Sequence, residues 1–143
     1  MENFTRKTTI FILDDDRYYG LFLKNALKST DYSIKYFPDE GSCIEELVTV
    51  PDILILDHSL EYTYGLEVLD EVSRKCKGKT HVIYLSAQEH VHIALRALKE
   101  GAVAYIEKND KTVNSISEAI GQIISLTQNF KQSLDVGKLR ILD

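Results

Sequence analysis

Five short apolar runs, each followed by an amphipathic stretch, constrain this 143-residue chain more than any other feature. The runs are Thr8–Leu13, Tyr32–Phe37, Ile53–Leu56, Val82–Leu85 and Val103–Ile106. They are rich in β-branched and aromatic residues and have the length of strands. After each run, apolar residues recur at helical spacing. These are Tyr19, Phe22, Leu23, Ala26 and Leu27; Ile44, Leu47 and Val48; Leu66, Val68, Leu69 and Val72; Ala94, Ala97 and Leu98; and Ile116, Ile120, Ile123 and Thr127. Pro38, Pro51, Lys77-Gly78 and Gly101 punctuate the segments. Such alternation predicts an α/β fold: a parallel sheet, doubly wound, with five helices on its two faces and right-handed crossovers. Three helices on one face and two on the other require the winding to reverse. In the common strand order 2-1-3-4-5 the reversal falls between the first and third strands.

Composition narrows the function. A chain of this size buries roughly 70% of its unfolded surface, enough for one domain. Its longest hydrophobic run is five residues, Ala102 to Ile106, and a membrane span needs about 20. The first seven residues lack an apolar signal core, so secretion is not expected and a cytoplasmic location is. A net charge of −5 with no basic stripe argues against direct nucleic-acid binding. Cys43 and Cys76 show no CxxC spacing and read as free, buried thiols.

Chemistry gathers at the carboxyl ends of the runs. The first ends in Asp14-Asp15-Asp16, the third in Asp57, the fourth in Ser86, and the fifth reaches Lys108. Parallel strands present these ends along one edge, and ligands of open α/β sheets bind at the winding reversal. Asp14, Asp15 and Asp57 should therefore converge, with Ser86 and Lys108 beside them. Crowded carboxylates repel one another, and Lys108 supplies one positive charge. A hard divalent ion such as Mg²⁺ suits the remainder. Such an ion can also hold a phosphoryl group in line with a carboxylate. Taken singly, each residue has a plainer explanation: Asp16 as a helix cap before Arg17, Ser86 as another cap, Lys108 as a solvated loop residue, Tyr105 as a strand aromatic. Their joint placement on one edge carries the inference.

The chain resembles response-regulator receiver domains, the phosphoacceptor modules of two-component signalling, over roughly residues 8 to 127. The resemblance rests on Ile12-Leu13-Asp14-Asp15-Asp16, Pro51 to Asp57, Gly65-Leu66-Glu67-Val68-Leu69, Val82 to Ala87, and Gly101 to Lys108, in family order and spacing. It implies the flavodoxin-like receiver fold, with residues 1–128 as the receiver and 129–143 as a helical extension or tail. It implies that Asp57 accepts a phosphoryl group from a histidine kinase or phosphotransfer protein. Asp14, Asp15, Asp57 and the backbone carbonyl of Ser59 would hold Mg²⁺, Asp15 as a direct ligand. Lys108 would pair with the phosphoryl group, Ser86 would move towards it past the small Ala87, and Tyr105 would turn inward. Ser59 and Gln88 flank the acceptor and are expected to tune the lifetime of the phosphorylated form. The chain would catalyse only its own phosphorylation and dephosphorylation, signalling through the face of helix four, strand five and helix five.

Two positions depart from the family: Glu61 and Asn109 stand where proline is usual. The family's Lys-Pro bond is commonly cis, and a non-proline cis bond costs about 3 kcal/mol. The reach of Lys108 is therefore the least secure part of the expected site. His90 and His92 fall on nearly opposite helix faces, and His58 should point away from Asp57 by strand alternation. All three are expected to be exposed. Leu134, Leu139, Ile141 and Leu142 continue an apolar pattern into the tail. That pattern, or helix four, strand five and helix five, offers a homodimer contact. A haloacid-dehalogenase-like phosphatase is disfavoured because Asp57-His58-Ser59 lacks a second acid. A flavodoxin-like cofactor carrier is disfavoured because three aspartates would repel phosphate. The alternatives left are a receiver-like interaction module that is never phosphorylated, and a fragment of a longer regulator without its output domain.

Overall fold

A computed structural model describes residues 6–87 and 91–142, with side chains placed as far as Lys131. Gln88 and His90, and the side chains of Leu134, Leu139, Ile141 and Leu142, lie outside the described set. The elements are β1 (Thr8–Leu13), α1 (Arg17–Ala26), β2 (Tyr32–Phe37), α2 (Glu40–Glu46), a 3₁₀ turn (Leu47–Thr49), β3 (Ile53–Asp57), α3 (Gly65–Cys76), β4 (His81–Ser86), α4 (Val91–Lys99), β5 (Ala102–Glu107) and α5 (Thr112–Leu142). All strand pairs are parallel, in the order β2-β1-β3-β4-β5 expected from the alternation.

Strand composition follows position in the sheet. All five residues of β3, the central strand, are buried. Edge strand β2 alternates instead, with Ser33 and Lys35 in solvent and Phe37 inside. Side-chain alternation divides the core into two layers. Phe11, Leu13, Leu54, Leu56, Val82 and Tyr84 pack with residues of α2, α3 and α4 on one face. Ile10, Ile12, Ile53, Ile55, Ile83 and Leu85 pack with α1 and α5 on the other.

Four apolar residues assigned from the helical spacing lie in solvent, Ala26 and Leu98 among them. The second helix stops at Glu46 and tightens into the 3₁₀ turn, leaving Val48 80% exposed. In α1 and its C-terminal cap, Leu23 and Leu27 are buried but Phe22 is 54% exposed. A short helix against a flat sheet buries a narrow stripe, and flanking apolar residues stay outside it. The two cysteines are free and buried, as expected. Among the described residues, no helix is long and apolar enough to cross a membrane.

Candidate functional site

Register brings the acids together. Leu13 of β1 pairs with Leu56 of β3, so the next residues, Asp14 and Asp57, leave the sheet side by side. Asp14 is 1% exposed and Asp57 5%, while Asp15 is exposed. Each of the three offers a carboxylate oxygen within 4.8 Å of the others. Asp16 turns away from the cluster and caps α1, its side chain accepting from the Tyr19 N–H. The Asp16 N–H in turn donates to Asp14 Oδ1 at 2.8 Å, which fixes the turn that presents Asp14.

Lys108 enters from the far side of the sheet. Its backbone N–H donates to the Ser86 carbonyl at 2.8 Å, just beyond the paired part of β4 and β5. Its Nζ then lies 2.9 Å from Asp14 Oδ2 and 2.9 Å from Asp57 Oδ1. The peptide bond to Asn109 is trans. Without proline, the following loop is held by hydrogen bonds. Asn109 N–H donates to Thr112 Oγ1 at 2.7 Å, and Asn109 Oδ1 accepts from Lys111 N–H at 2.8 Å. The Lys108 ammonium also sits 4.3 Å from the centre of the Tyr19 ring, within cation–π range.

Three carboxylates face one ammonium, and the acid–base behaviour reflects the excess. Burial pushes the Asp57 carboxyl up to about 6; the Lys108 hydrogen bond opposes this and the Asp14 charge reinforces it. Burial raises Asp14 as well, against the pull of Lys108. For Lys108, burial disfavours the charge, yet the bond to Asp57 and the charges of both aspartates win and raise it. The crevice is thus short of positive charge, and the three carboxylates offer it oxygen ligands. Such a set fits a hard divalent cation.

The remaining expected residues flank this point. Ser86 ends β4 and is 2% exposed, and Ala87 follows it into solvent. Ser59 is exposed, two residues beyond Asp57, in a loop closed by a bridge between Ser59 and Tyr64. Tyr105 is half-buried, its ring stacked on Tyr84 with centroids 6.0 Å apart. His92 is exposed. His58 corrects its expectation. It is half-buried, its Nδ1 lies 2.5 Å from the Tyr84 hydroxyl, and its ring stacks on Tyr64. Alternation puts it on the face of Leu54 and Leu56, but that face is covered by α3 and the loop before it.

Four residues of this neighbourhood escaped the sequence reading: Tyr19, Tyr36, Tyr84 and Thr112. Tyr36 donates from its hydroxyl to the Asp14 carbonyl at 2.7 Å. It reaches there because position 20 is glycine; a Cβ on Gly20 would stand 2.1 Å from the Tyr36 ring. A glycine inside a helical pattern was the one available signal for that approach.

A family model described as the response regulator receiver domain matches residues 10–120. The chain is 24% identical over 141 residues to a protein-glutamate methylesterase/protein-glutamine glutaminase of Thermotoga maritima, covering 96% of this chain and 40% of that protein. It is 33% identical over 88 residues to the fimbriae Z protein of Salmonella typhimurium, covering 61% of this chain and 41% of that one. The chain therefore spans about two fifths of the length of these curated relatives. Among solved structures, a CheY-like response regulator receiver domain protein from Methanospirillum hungatei superposes with a TM-score of 0.76 at 19% identity, covering 87% of this chain and 99% of that one. The response regulator domain of Thermotoga maritima CheB gives 0.70 at 22%, covering 84% and 96%. With the family match spanning both core layers and reaching from β1 into α5, the chain belongs to the response regulator receiver domain family.

Proposed function

We propose that this receiver takes a phosphoryl group onto Asp57 from the phosphohistidine of a histidine kinase or phosphotransfer protein. The supporting observation is the crowding of Asp14, Asp15 and Asp57 around one point with Lys108 set against the two buried acids. The three carboxylates, with the Ser59 carbonyl, would hold Mg²⁺. Bound there, the ion would neutralise phosphoryl oxygens and offset the carboxylate repulsion.

The chain's own residues do the rest. An Asp57 oxygen attacks phosphorus, and its bond to phosphorus forms as the donor's P–N bond breaks. Burial and the Asp14 charge leave that carboxyl near 6, so it is mainly ionised at neutral pH. Lys108 exchanges part of its carboxylate contact for a phosphoryl oxygen, and the Ser86 hydroxyl donates to another. Ser59 and Gln88 tune how long the product lasts. Output follows from a population shift on the α4–β5–α5 surface, where Val91, Leu95, Leu98 and Val103 are exposed. That surface, or the extension at 129–143, is the proposed contact for a second copy or a downstream protein. Residues 1–128 act as the receiver.

Incubation with Mg²⁺ and acetyl phosphate, followed by intact mass, tests the reading. One added phosphoryl group is expected, absent in Asp57→Asn and absent without metal. An unmodified wild-type mass under every condition would mean an interaction module that works without phosphorylation.

A further inference from the structure

Tyr84 is 0% exposed at the middle of a central strand, where a phenylalanine would fill the same space. A hydroxyl in such a place is unfavourable unless it is hydrogen-bonded. Its partners lie at the two ends of one loop. Tyr84 Oη is 2.5 Å from His58 Nδ1, the residue after Asp57. The same oxygen accepts a hydrogen bond from the Leu66 backbone N–H, in the first turn of α3. The first N–H groups of a helix have no partner within it, and Tyr64, which precedes α3, provides no side-chain cap. The buried phenol takes that place from beneath.

The loop between these anchors is tightly closed. Gly65 N–H donates to the His58 carbonyl at 2.8 Å, and Leu60 N–H to the Thr63 carbonyl at 3.1 Å. A Cβ on Gly65 would stand 2.6 Å from the Asp57 carbonyl and 2.9 Å from Tyr84 Oη, so strand end, phenol and helix start meet here. The rings of Tyr64 and His58 stack over the outside, with centroids 5.2 Å apart.

We infer that Tyr84 is a positioning residue: its hydroxyl, tied to His58 and Leu66, fixes the loop of residues 58–66 and with it the Ser59 carbonyl. The inference rests on the proposed metal-dependent acceptor site, because the carbonyl matters there as a metal ligand. The Tyr84 ring also stacks on Tyr105, so the post that holds the loop touches the β5 aromatic on the proposed output side.

Tyr84→Phe keeps the ring and removes the hydroxyl. Mg²⁺ is titrated by calorimetry into the unphosphorylated full chain as wild type, Tyr84→Phe and Val72→Ala, the last a cavity in the same core layer on α3. Backbone amide exchange is followed in parallel. Removing a group that orients a metal ligand should weaken Mg²⁺ binding by about 10-fold. Exchange at residues 59–64 should speed up in Tyr84→Phe, and Val72→Ala should leave affinity and loop exchange at wild-type values. Wild-type Mg²⁺ affinity in Tyr84→Phe, or an equal loss in Val72→Ala, would overturn the inference. Should the wild type bind no Mg²⁺, the proposed acceptor site fails by itself. Loop exchange in Tyr84→Phe then decides alone whether the hydroxyl fixes the loop, and unchanged exchange refutes it.

Discussion

Two aspartates at opposite ends of β3 make an instructive pair. Asp52 stands just before the strand and Asp57 ends it. Asp52 is surrounded by donors. Thr9 N–H and Oγ1 reach its Oδ2 at 2.8 and 3.0 Å, and Arg6 reaches its Oδ1 at 2.8 Å. Partial burial works to raise its pKa, but the Arg6 and Thr9 bonds prevail and lower it. Asp57 meets the reverse situation: one ammonium, shared with Asp14, and a second and third carboxylate nearby. One carboxylate is balanced and supports the fold. The other is left under-balanced, a deficit that the proposed cation and phosphoryl group would offset. Identical side chains at the two ends of one strand therefore carry opposite signs of stability.

Substitutions should expose that difference, and the largest effect belongs to chemistry. Lys108→Ala removes the one cation paired with Asp57 among the described residues, and phosphorylation by acetyl phosphate should slow by about 100-fold, read by time-resolved intact mass. A rate near wild type would break the comparison at its centre. Next, Gly65→Ala drives a Cβ into the Asp57 carbonyl and the Tyr84 phenol, and should cost about 3 kcal/mol in urea unfolding.

The sharper contrast comes from neutralising each acid in turn without divalent metal. The Asp57 carboxyl rises from 3.8 to about 6 on folding, so its charge opposes the fold above pH 6, by up to about 3 kcal/mol. Asp57→Asn should therefore stabilise the protein at pH 7. The gain should shrink as pH falls from about 6 and be gone below 3.8, where wild type is protonated in both states. The Asp52 shift is downward, so its contribution is present above 3.8 and lost as pH falls through the lower folded value. Asp52→Asn should destabilise at pH 7, by about 1 kcal/mol given the 70% exposure of Arg6. Urea midpoints against pH for both variants give the test. Shifts of the same sign would show that surroundings do not distinguish the two carboxylates.

Much of this was legible in the chain itself. Apolar runs of strand length gave the sheet, and β1, β2 and the core of β3 and β4 fall where the pattern puts them. The acids at the run ends predicted a cluster because parallel strands share an edge. Val48 and Phe22 show where the pattern misleads, since helical spacing marks an apolar stripe without giving its width. His58 shows the same limit for strands. Alternation gives the face but not what covers it, and here α3 and its loop do.

Local pattern, then, determined the order of elements, the α/β class and which chemical groups stand at the carboxyl edge, because periods of two and 3.6 residues and turn residues act over a few positions. Tertiary structure alone decided how those groups meet. Lys108 reaches two aspartates through a trans peptide because Asn109 and Thr112 hold the next loop. Tyr36 finds Asp14 over Gly20, and Tyr84 finds His58 from a neighbouring strand. Apart from the local Asn109–Thr112 bond, these contacts join residues far apart in the chain, and their distances depend on strand register and helix packing, which no short stretch of sequence encodes.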